Sequence, residues 1–562
     1  MAGLPKHSST FTALRNPVYK RIWLASLLSS VCVSAHDTAA TWVMNTLSPS
    51  PFLLSLLSTV ASLPFFLLTL PAGALADMVD RQKLLRVMNF WLAATAALLA
   101  ILYSFHILNP ELVLVCVFLT GVGFAFNAPA WTAIVPEIVT NDELPSASTL
   151  SGLQLNIAGI LGPALGGFAL KLLAPNWIFL INALGFLVVI FAVSKWKRAS
   201  QAAKLPLENF LESFATAIRY VRYAPSIQVV LARNVLFSLF ICVIPALIPV
   251  VGLKQLKFEP SGLGLLFTAM GAGSVFSAVF VVPKLREHLS SNAIIISANI
   301  LLVLVYLGMA VVSNHVLFMI VAAIAGIAWT IAASELWVAG QMAMPNWARG
   351  RMNATIIMFS QGAMALGAIV WGLLASTIGI SPTLELAAAL LFASLFLSIP
   401  LSINFVSELD FAPAPVTGFS HKLIHIPRPH DGPISITYEF EVDRTRGSEF
   451  IHVIRQLRLI HLRNGAYSWR LHEDLERANV YRIEMMMPSW TEHLLQKERY
   501  TKTERDVLEK AAALHVGPNP PIERVYLCVN RELMTHLALF AHPSTMPTSP
   551  LDLGTQEMGN TA

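Results

Sequence analysis

Stretches of about 20 largely apolar residues, each long enough to cross the hydrocarbon of a bilayer as a helix, recur through the first 407 residues. They lie near 22–47, 52–76, 84–107, 111–136, 149–173 and 177–195, and again near 226–252, 261–283, 292–313, 315–339, 352–377 and 383–406. Backbone polar groups in lipid must be satisfied within the segment, so each stretch is expected as a helix. The spacing predicts an all-α membrane protein of twelve transmembrane helices in two six-helix bundles, 1–195 and 226–407. A polar cytoplasmic linker, 196–225, joins them. The first stretch follows Lys20-Arg21 and is long enough to span, so it reads as a retained helix and not as a cleaved leader.

Charge separates this region from the rest. Residues 1–407 hold 21 Lys/Arg and 13 Asp/Glu, whereas residues 408–562 hold 17 and 20 in well under half the length. A soluble domain is therefore expected at 415–545, with a disordered tail at 546–562. A single soluble enzyme is excluded, and so is a protein with one membrane anchor. The net charge of +5 divides into an excess of basic residues in the membrane part and of acidic residues in the tail, a topology signal and not a nucleic-acid surface. With the N-terminus inside, 18 of the 21 basic residues of the membrane part fall on the inner side, leaving Lys171, Lys254 and Lys257 outside. Both termini are thus expected to be cytoplasmic. The four cysteines, Cys32, Cys116, Cys242 and Cys528, have no metal or disulfide spacing, so no metal is expected. No Walker-type phosphate loop occurs and no cofactor is expected. Inside the linker, Phe210, Phe214, Ile218 and Val221 recur at helical spacing beside Glu212, Arg219 and Arg222, which predicts an amphipathic helix on the membrane surface.

Pro64, Pro71, Pro129, Pro163, Pro245 and Pro249 fall inside expected spans. Each frees backbone carbonyls, and broken helices in both halves suit a central transport cavity. Between the second and third stretches stands Gly73-Ala-Leu-Ala-Asp77-Met-Val-Asp-Arg81-Gln-Lys83. Gly73 would let two helices approach, Asp77 would sit at a helix end, and Arg81 and Lys83 would bridge to carbonyls or acids nearby. Such a cluster can lock one conformation and release in another.

This spacing resembles the signature loop of the major facilitator superfamily, with Asp80 where that pattern has a Gly. Asp37-Thr-Ala-Ala-Thr-Trp42-Val-Met, Asn127-Ala-Pro129-Ala, Gly162-Pro163-Ala-Leu-Gly166-Gly167 and Pro345-Asn-Trp347-Ala-Arg349-Gly-Arg351 resemble the bacterial branch that contains the enterobactin exporter and the transmembrane secretion effectors. The resemblance implies the two-bundle fold of that superfamily, a gating role for Gly73, Asp77, Arg81 and Lys83, and export. Gly162, Pro163, Gly166 and Gly167 also resemble the fifth-helix motif associated with antiporters, in which the Pro bends the helix and the glycines allow tight packing.

Asp37, beside His36 in the first stretch, is the leading candidate for coupling or substrate contact, because a carboxylate at membrane depth is costly and functional by default. A structural hydrogen-bonding role is the alternative. Glu335 is a weaker candidate, near a helix end. Glu111 and Glu385 read as interfacial. Asn127, Trp131, Gln154, Asn156 and Gln361 either line a substrate path or hold helices together.

In the tail, Ile434–Val442 alternates like a strand and 450–460 carries helical periodicity. Strands are expected at 466–474 and 480–487, a helix capped by Ser489 with Glu492 at its third position, and a last strand near 522–529. That β-α-β-β-α-β order predicts a ferredoxin-like α+β domain. The 463–493 stretch resembles the tail of the same exporter branch and, more loosely, the small α+β barrels of the antibiotic-biosynthesis monooxygenase group. Asn464, Trp469 and His472 only faintly match the reactive residues of that group, so no enzyme activity is expected. The tail is expected as a cytoplasmic dimerisation or ligand-sensing module.

The whole reads as a multi-pass transporter of the bacterial cytoplasmic membrane. Its expected partners are the lipid bilayer, a small amphipathic organic substrate and protons, and it would export by alternating access. An importer of the same fold and a membrane-tethered enzyme are the alternatives.

Overall fold

A computed structural model of the chain describes residues 11–48, 50–140, 142–196, 210–403, 410–414, 427–518 and 520–528. The 546–562 segment, residues 197–209 of the linker and residues 415–426 of the soluble domain lie outside the described residues. The first half contains α1 (Pro17–Leu47), α2 (Pro51–Met78), α3 (Arg81–Ser104), α4 (Pro110–Ile138), α5 (Leu144–Leu172) and α6 (Pro175–Ser194). After α7 (Phe210–Tyr223) come α8 (Pro225–Ile241), α9 (Val243–Val250), α10 (Pro260–Phe276), α11 (Val282–His288), α12 (Ser291–Val311), α13 (His315–Met342), α14 (Arg349–Thr377) and α15 (Ile380–Ser398).

Local chemistry sets these boundaries. Asn16, Ser50 and Asn109 each accept a backbone N–H of the first helical turn, and each is followed by Pro at the first helical position. The N–H that proline lacks is one the helix start leaves unpaired in any case. Interior prolines disturb the helices instead. Pro245 and Pro249 accompany the break between α8 and α9 and the π turn at Val251–Gln255, and Pro283 follows the π turn at Ser277–Val281 between α10 and α11. Each proline removes one i→i−4 bond, and the turn widens to accommodate it.

Among the described residues eleven spans are long and apolar enough to cross a membrane, with Pro225–Gln255 and Pro260–His288 each counted as one. The remaining expected stretch is α1, 31 residues long. His36 and Asp37 interrupt it, so hydropathy alone does not single it out.

The two halves meet along α2 with α14 and along α5 with α10. Small residues make this approach possible. A Cβ on Gly167 would lie 2.7 Å from Gly264 Cα, and one on Gly264 would lie 2.5 Å from Pro163 O. Thr59 Oγ1 donates to Ala365 O at 3.2 Å, and Gly372 packs on Ser55. At the ends of these helices Lys254 Nζ donates to Ser48 O at 3.1 Å, and Lys171 faces Glu259 at 3.4 Å. All these contacts lie between the middle of the helices and the end remote from the tail domain.

The tail folds as β1 (Ile434–Glu441), α16 (Gly447–Asn464), β2 (Ser468–Glu473), β3 (Val480–Met487), α17 (Trp490–Arg499), α18 (Lys502–Ala513) and β4 (Ile522–Leu527). The strands form one antiparallel sheet in the order β2-β3-β1-β4. Ile436 pairs with Met485 on one side and Val525 on the other. The face carrying Phe440 and Ile483 packs on Phe450, Ile454 and Leu457 of α16 and Ala511 of α18. The opposite face is open and charged, with a concavity of about 360 Å³ lined by Thr437, Glu439, Arg482, Glu484, Arg524 and Tyr526. One helix more than expected is present, α18, started by the reciprocal capping of Thr501 and Glu504.

The linker helix α7 forms as expected; Ala217 and Tyr220 are buried against protein, while Ile218 on the face expected to meet lipid is exposed. Arg219 Nη2 donates to Glu492 Oε1 at 3.1 Å, and Tyr220 meets the Trp347 ring edge-on at 5.5 Å between centroids. The helix is wedged between the tail and the loop before α14.

Candidate functional site

The signature loop caps the start of α3. Asp80, standing where the superfamily pattern has a glycine, is the helix cap, and its carboxylate accepts the Lys83 backbone N–H at 3.0 Å. A side-chain acceptor thus occupies the turn that the pattern leaves to glycine. Arg81 crosses to α4, where Nη1 donates to Glu137 Oε1 at 2.7 Å and to Ala133 O at 3.3 Å. Gln82 reaches α6 and beyond, donating to Val193 O at 2.8 Å and Trp196 O at 2.6 Å. The Lys83 side chain is exposed. The Asp77 side chain lies outside the described part, although its backbone belongs to the last turn of α2. Gly73 needs correcting. A Cβ there would meet nothing within 4 Å, so no close helix approach depends on it.

The second half repeats this arrangement. Arg286, at the end of α11, donates through Nε to Glu335 Oε1 of α13 at 2.5 Å, and Glu335 is buried. In each half, then, an arginine at the connection between the second and third spans holds a carboxylate of the fourth. Sequence reasoning missed Glu137. Its arginine is 56 residues away, and the only local signal was an acid at the end of a span.

Asp37 and His36 point to different surroundings. The Asp37 side chain is exposed in the middle of α1. Its backbone carbonyl accepts Thr41 Oγ1 at 2.8 Å. His36 is buried against the Phe179 ring of α6 at 4.7 Å, which makes it a packing residue and not a lining one. Gln154 Nε2 donates to Ser26 Oγ at 3.2 Å and to Ser30 Oγ at 2.8 Å, tying α5 to α1. Asn127 accepts Asn89 Nδ2 of α3 at 3.1 Å, and Trp131 packs against a cluster that contains Ile22, Ala76 and Ile134. These three polar or aromatic groups hold helices together. Asn156 is half-buried, and no hydrogen bond to its side chain occurs among the described residues. Gln361 holds a buried, unpaired Oε1 in α14. Asp37, Asn156 and Gln361 are therefore the candidates not committed to packing.

The glycine motif serves two contacts at once. A Cβ on Gly166 would lie 2.8 Å from Ala35 Cα of α1, and Gly162 packs on Ser34 of the same helix. Gly167 and the Pro163 carbonyl instead face α10 of the other half. Helix α5 is thus pressed on one side to its own bundle and on the other to its partner. Among the described residues no group of three His, Cys, Asp or Glu side chains could hold a metal ion.

Comparisons with known proteins agree with this architecture. The family profile described as "Transmembrane secretion effector" matches residues 8–533. Macrolide efflux protein A of Streptococcus pyogenes is 21% identical over 394 residues, covering 69% of this chain and 96% of that protein. The staphyloferrin A transporter of Staphylococcus aureus is 23% identical over 353 residues, covering 61% and 86%. Among solved structures, a bacterial homologue of the human lysosomal transporter Spinster, in an inward-facing and unoccupied conformation, superposes with a TM-score of 0.56 at 11% identity, covering 70% of this chain and 97% of that one. The chain is a membrane transporter and belongs to the transmembrane secretion effector family of the major facilitator superfamily.

Proposed function

We propose that this transporter is a proton-coupled exporter of small amphipathic organic molecules, working by alternating access between two six-helix bundles that together make twelve spans. The observation that carries the reading is the placement of the half-to-half contacts. Gly167 against Gly264, Thr59 against Ala365 and Lys254 against Ser48 all lie from mid-helix to the end remote from the tail, and Asp37 is exposed in the middle of α1. With both termini and the tail in the cytoplasm of a bacterium, as the basic-residue bias favours, this is the inward-open, outward-closed state. Asp37 is the proposed proton and substrate contact. The efflux and siderophore names of the relatives support export and a cargo of that class.

Inverted membrane vesicles with an imposed pH gradient test this directly. A macrolide or a siderophore added outside such vesicles should be accumulated and should dissipate the gradient. Accumulation only in right-side-out vesicles would make the protein an importer, and accumulation indifferent to an uncoupler would remove the proton.

The tail is inferred to be a ferredoxin-like cytoplasmic domain. Its open sheet face carries Arg470, Arg482 and Arg524 beside Glu439 and Glu484, a wet charged surface that favours a polar ligand over an obligate apolar dimer.

A further inference from the structure

Arg233 is the one arginine in the spanning bundles that is at most 4% exposed, and no carboxylate among the described residues neutralises it. It stands two turns into α8. Nη1 donates to Asn292 Oδ1 at 2.6 Å and to Leu401 O at 3.2 Å, while Nη2 is buried with no partner. Its neutral partners are themselves engaged: Asn292 Nδ2 donates to Ser402 Oγ at 2.6 Å, and Asn292 Oδ1 also accepts the Ile403 N–H at 3.2 Å. Beside the guanidinium lies a void of about 10 Å³ between α8, α12 and α15, lined by Asn299, Ser394 and Ser398 among others. All three are buried, and Asn299 Oδ1 is likewise without a partner. The seryl hydroxyls now donate to Leu391 O and Leu395 O of their own helix and can turn about Cβ–Oγ toward the void.

A cation taken out of water is stable only when paired or otherwise compensated. Here two neutral oxygens meet one guanidinium, and the residue with the spare donor lines a space with room for about one water-sized atom. The polar neighbours, Asn292 at the start of α12 and Leu401 beyond the end of α15, put the group at the level of the lipid headgroups. Basic pockets between spanning helices at that level take anionic lipids. Phe396, Leu397 and Ile399, exposed on α15 and just after it, supply an apolar surface for acyl chains.

We propose that α8, α12 and α15 form an anion site in which Arg233 Nη2 donates to one compact anionic atom, with the Asn299 amide turned to donate through Nδ2 and the Ser394 hydroxyl completing its shell. Two sources share this chemistry: a non-bridging phosphate oxygen of an acidic phospholipid, or a halide. The site lies within the second bundle alone and does not depend on the direction or coupling of transport.

The purified full-length protein, reconstituted in three kinds of vesicle, tests it by thermal unfolding. These are phosphatidylcholine in sodium gluconate, the same lipid in sodium chloride of equal ionic strength, and mixed phosphatidylcholine–phosphatidylglycerol in gluconate. A rise in midpoint of about 2–4 °C over the first condition is expected in at least one of the others. A rise with chloride assigns the halide, and a rise with phosphatidylglycerol alone assigns the headgroup. Arg233→Gln should remove the increment. If that variant does not fold, Asn299→Leu, which fills the void and leaves Arg233 on Asn292, should remove it instead. An unchanged midpoint in all three vesicles, or an increment that survives in the folded variant, overturns the site and leaves the void to water.

Discussion

Asp37→Asn keeps the shape of its side chain and removes its titratable proton, which makes it the sharpest probe of the proposed coupling. Proton-linked transport should fall by about tenfold or more, a loss of about 1.4 kcal/mol or more in the driving step, while expression and insertion stay normal. Wild-type rates with an unchanged pH profile would take Asp37 out of the mechanism. A second residue makes a test outside the membrane. His461 is fully buried in the tail, where its Nδ1 accepts the Trp469 indole N–H at 3.0 Å. Burial holds its imidazole down to about 3 from an ordinary 6.5. Between those values the unfolded chain takes up a proton that the folded domain refuses. The stabilisation is complete above pH 6.5 and declines by about 1.4 kcal/mol per unit as pH falls toward 3. Hydrogen exchange of β1 and α16 amides in the full chain, corrected for intrinsic rates, should show this slope, and His461→Gln should flatten it. A slope unchanged in that variant would assign the acid sensitivity elsewhere.

At the scale of elements, the two arginine–carboxylate pairs are equivalent ties in the two halves. Arg81 and Glu137 are both partly exposed, at 27% and 20%, so solvent weakens their attraction. Removing Arg81 takes the guanidinium away from a partly buried carboxylate, at a cost of about 1 kcal/mol. If the tie belongs to one conformation only, Arg81→Ala should change turnover by about tenfold and leave substrate binding nearly unchanged. Equal losses in both would make it a plain structural bridge. These elements were unevenly legible in the sequence. Spans were, because a long apolar run is a local signal, and so was the Ser489 cap of α17. Strands β1 and β3 were also legible, since their alternation is a period of two. Helix α18 was announced by Thr501-Lys-Thr-Glu504, a capping box overlooked in a polar stretch. The contacts of Glu137, Gln154 and Asn127 were not legible, because they depend on which helix faces face each other. Gly73 shows the reverse case, a motif residue whose close packing the structure does not contain.

The tail and the membrane part meet in one continuous cluster, and there the whole molecule makes its most exposed mechanical claim. Glu492 of α17 accepts Arg219 of α7 at 3.1 Å and Arg499 at 2.6 Å. The Arg499 guanidinium lies 4.9 Å from the centre of the Trp347 ring, in the loop leading to α14. Trp347 meets Tyr220, and Arg463, paired with Glu504, covers Tyr220 at 5.8 Å. Helix α14 is also the helix that packs on α2 of the other half, so a tail bound to its leading loop is placed to bias the rocking of the two bundles. The tie across the seam is the partly buried Arg219–Glu492 bond, backed inside the tail by the bidentate Arg499–Glu492 pair, an arrangement strong enough to hold a domain and weak enough to release it. Glu492→Gln removes the charge shared by Arg219 and Arg499 without removing bulk. It should loosen the tail, raising limited-proteolysis cleavage between residues 404 and 426 severalfold, and should change the transport rate in the same variant. Trp347→Leu, which removes only the cation–π contact of about 0.5–2 kcal/mol, should give the same two effects more weakly. Faster cleavage with unaltered transport would mean that the tail is carried by the transporter and does not control it.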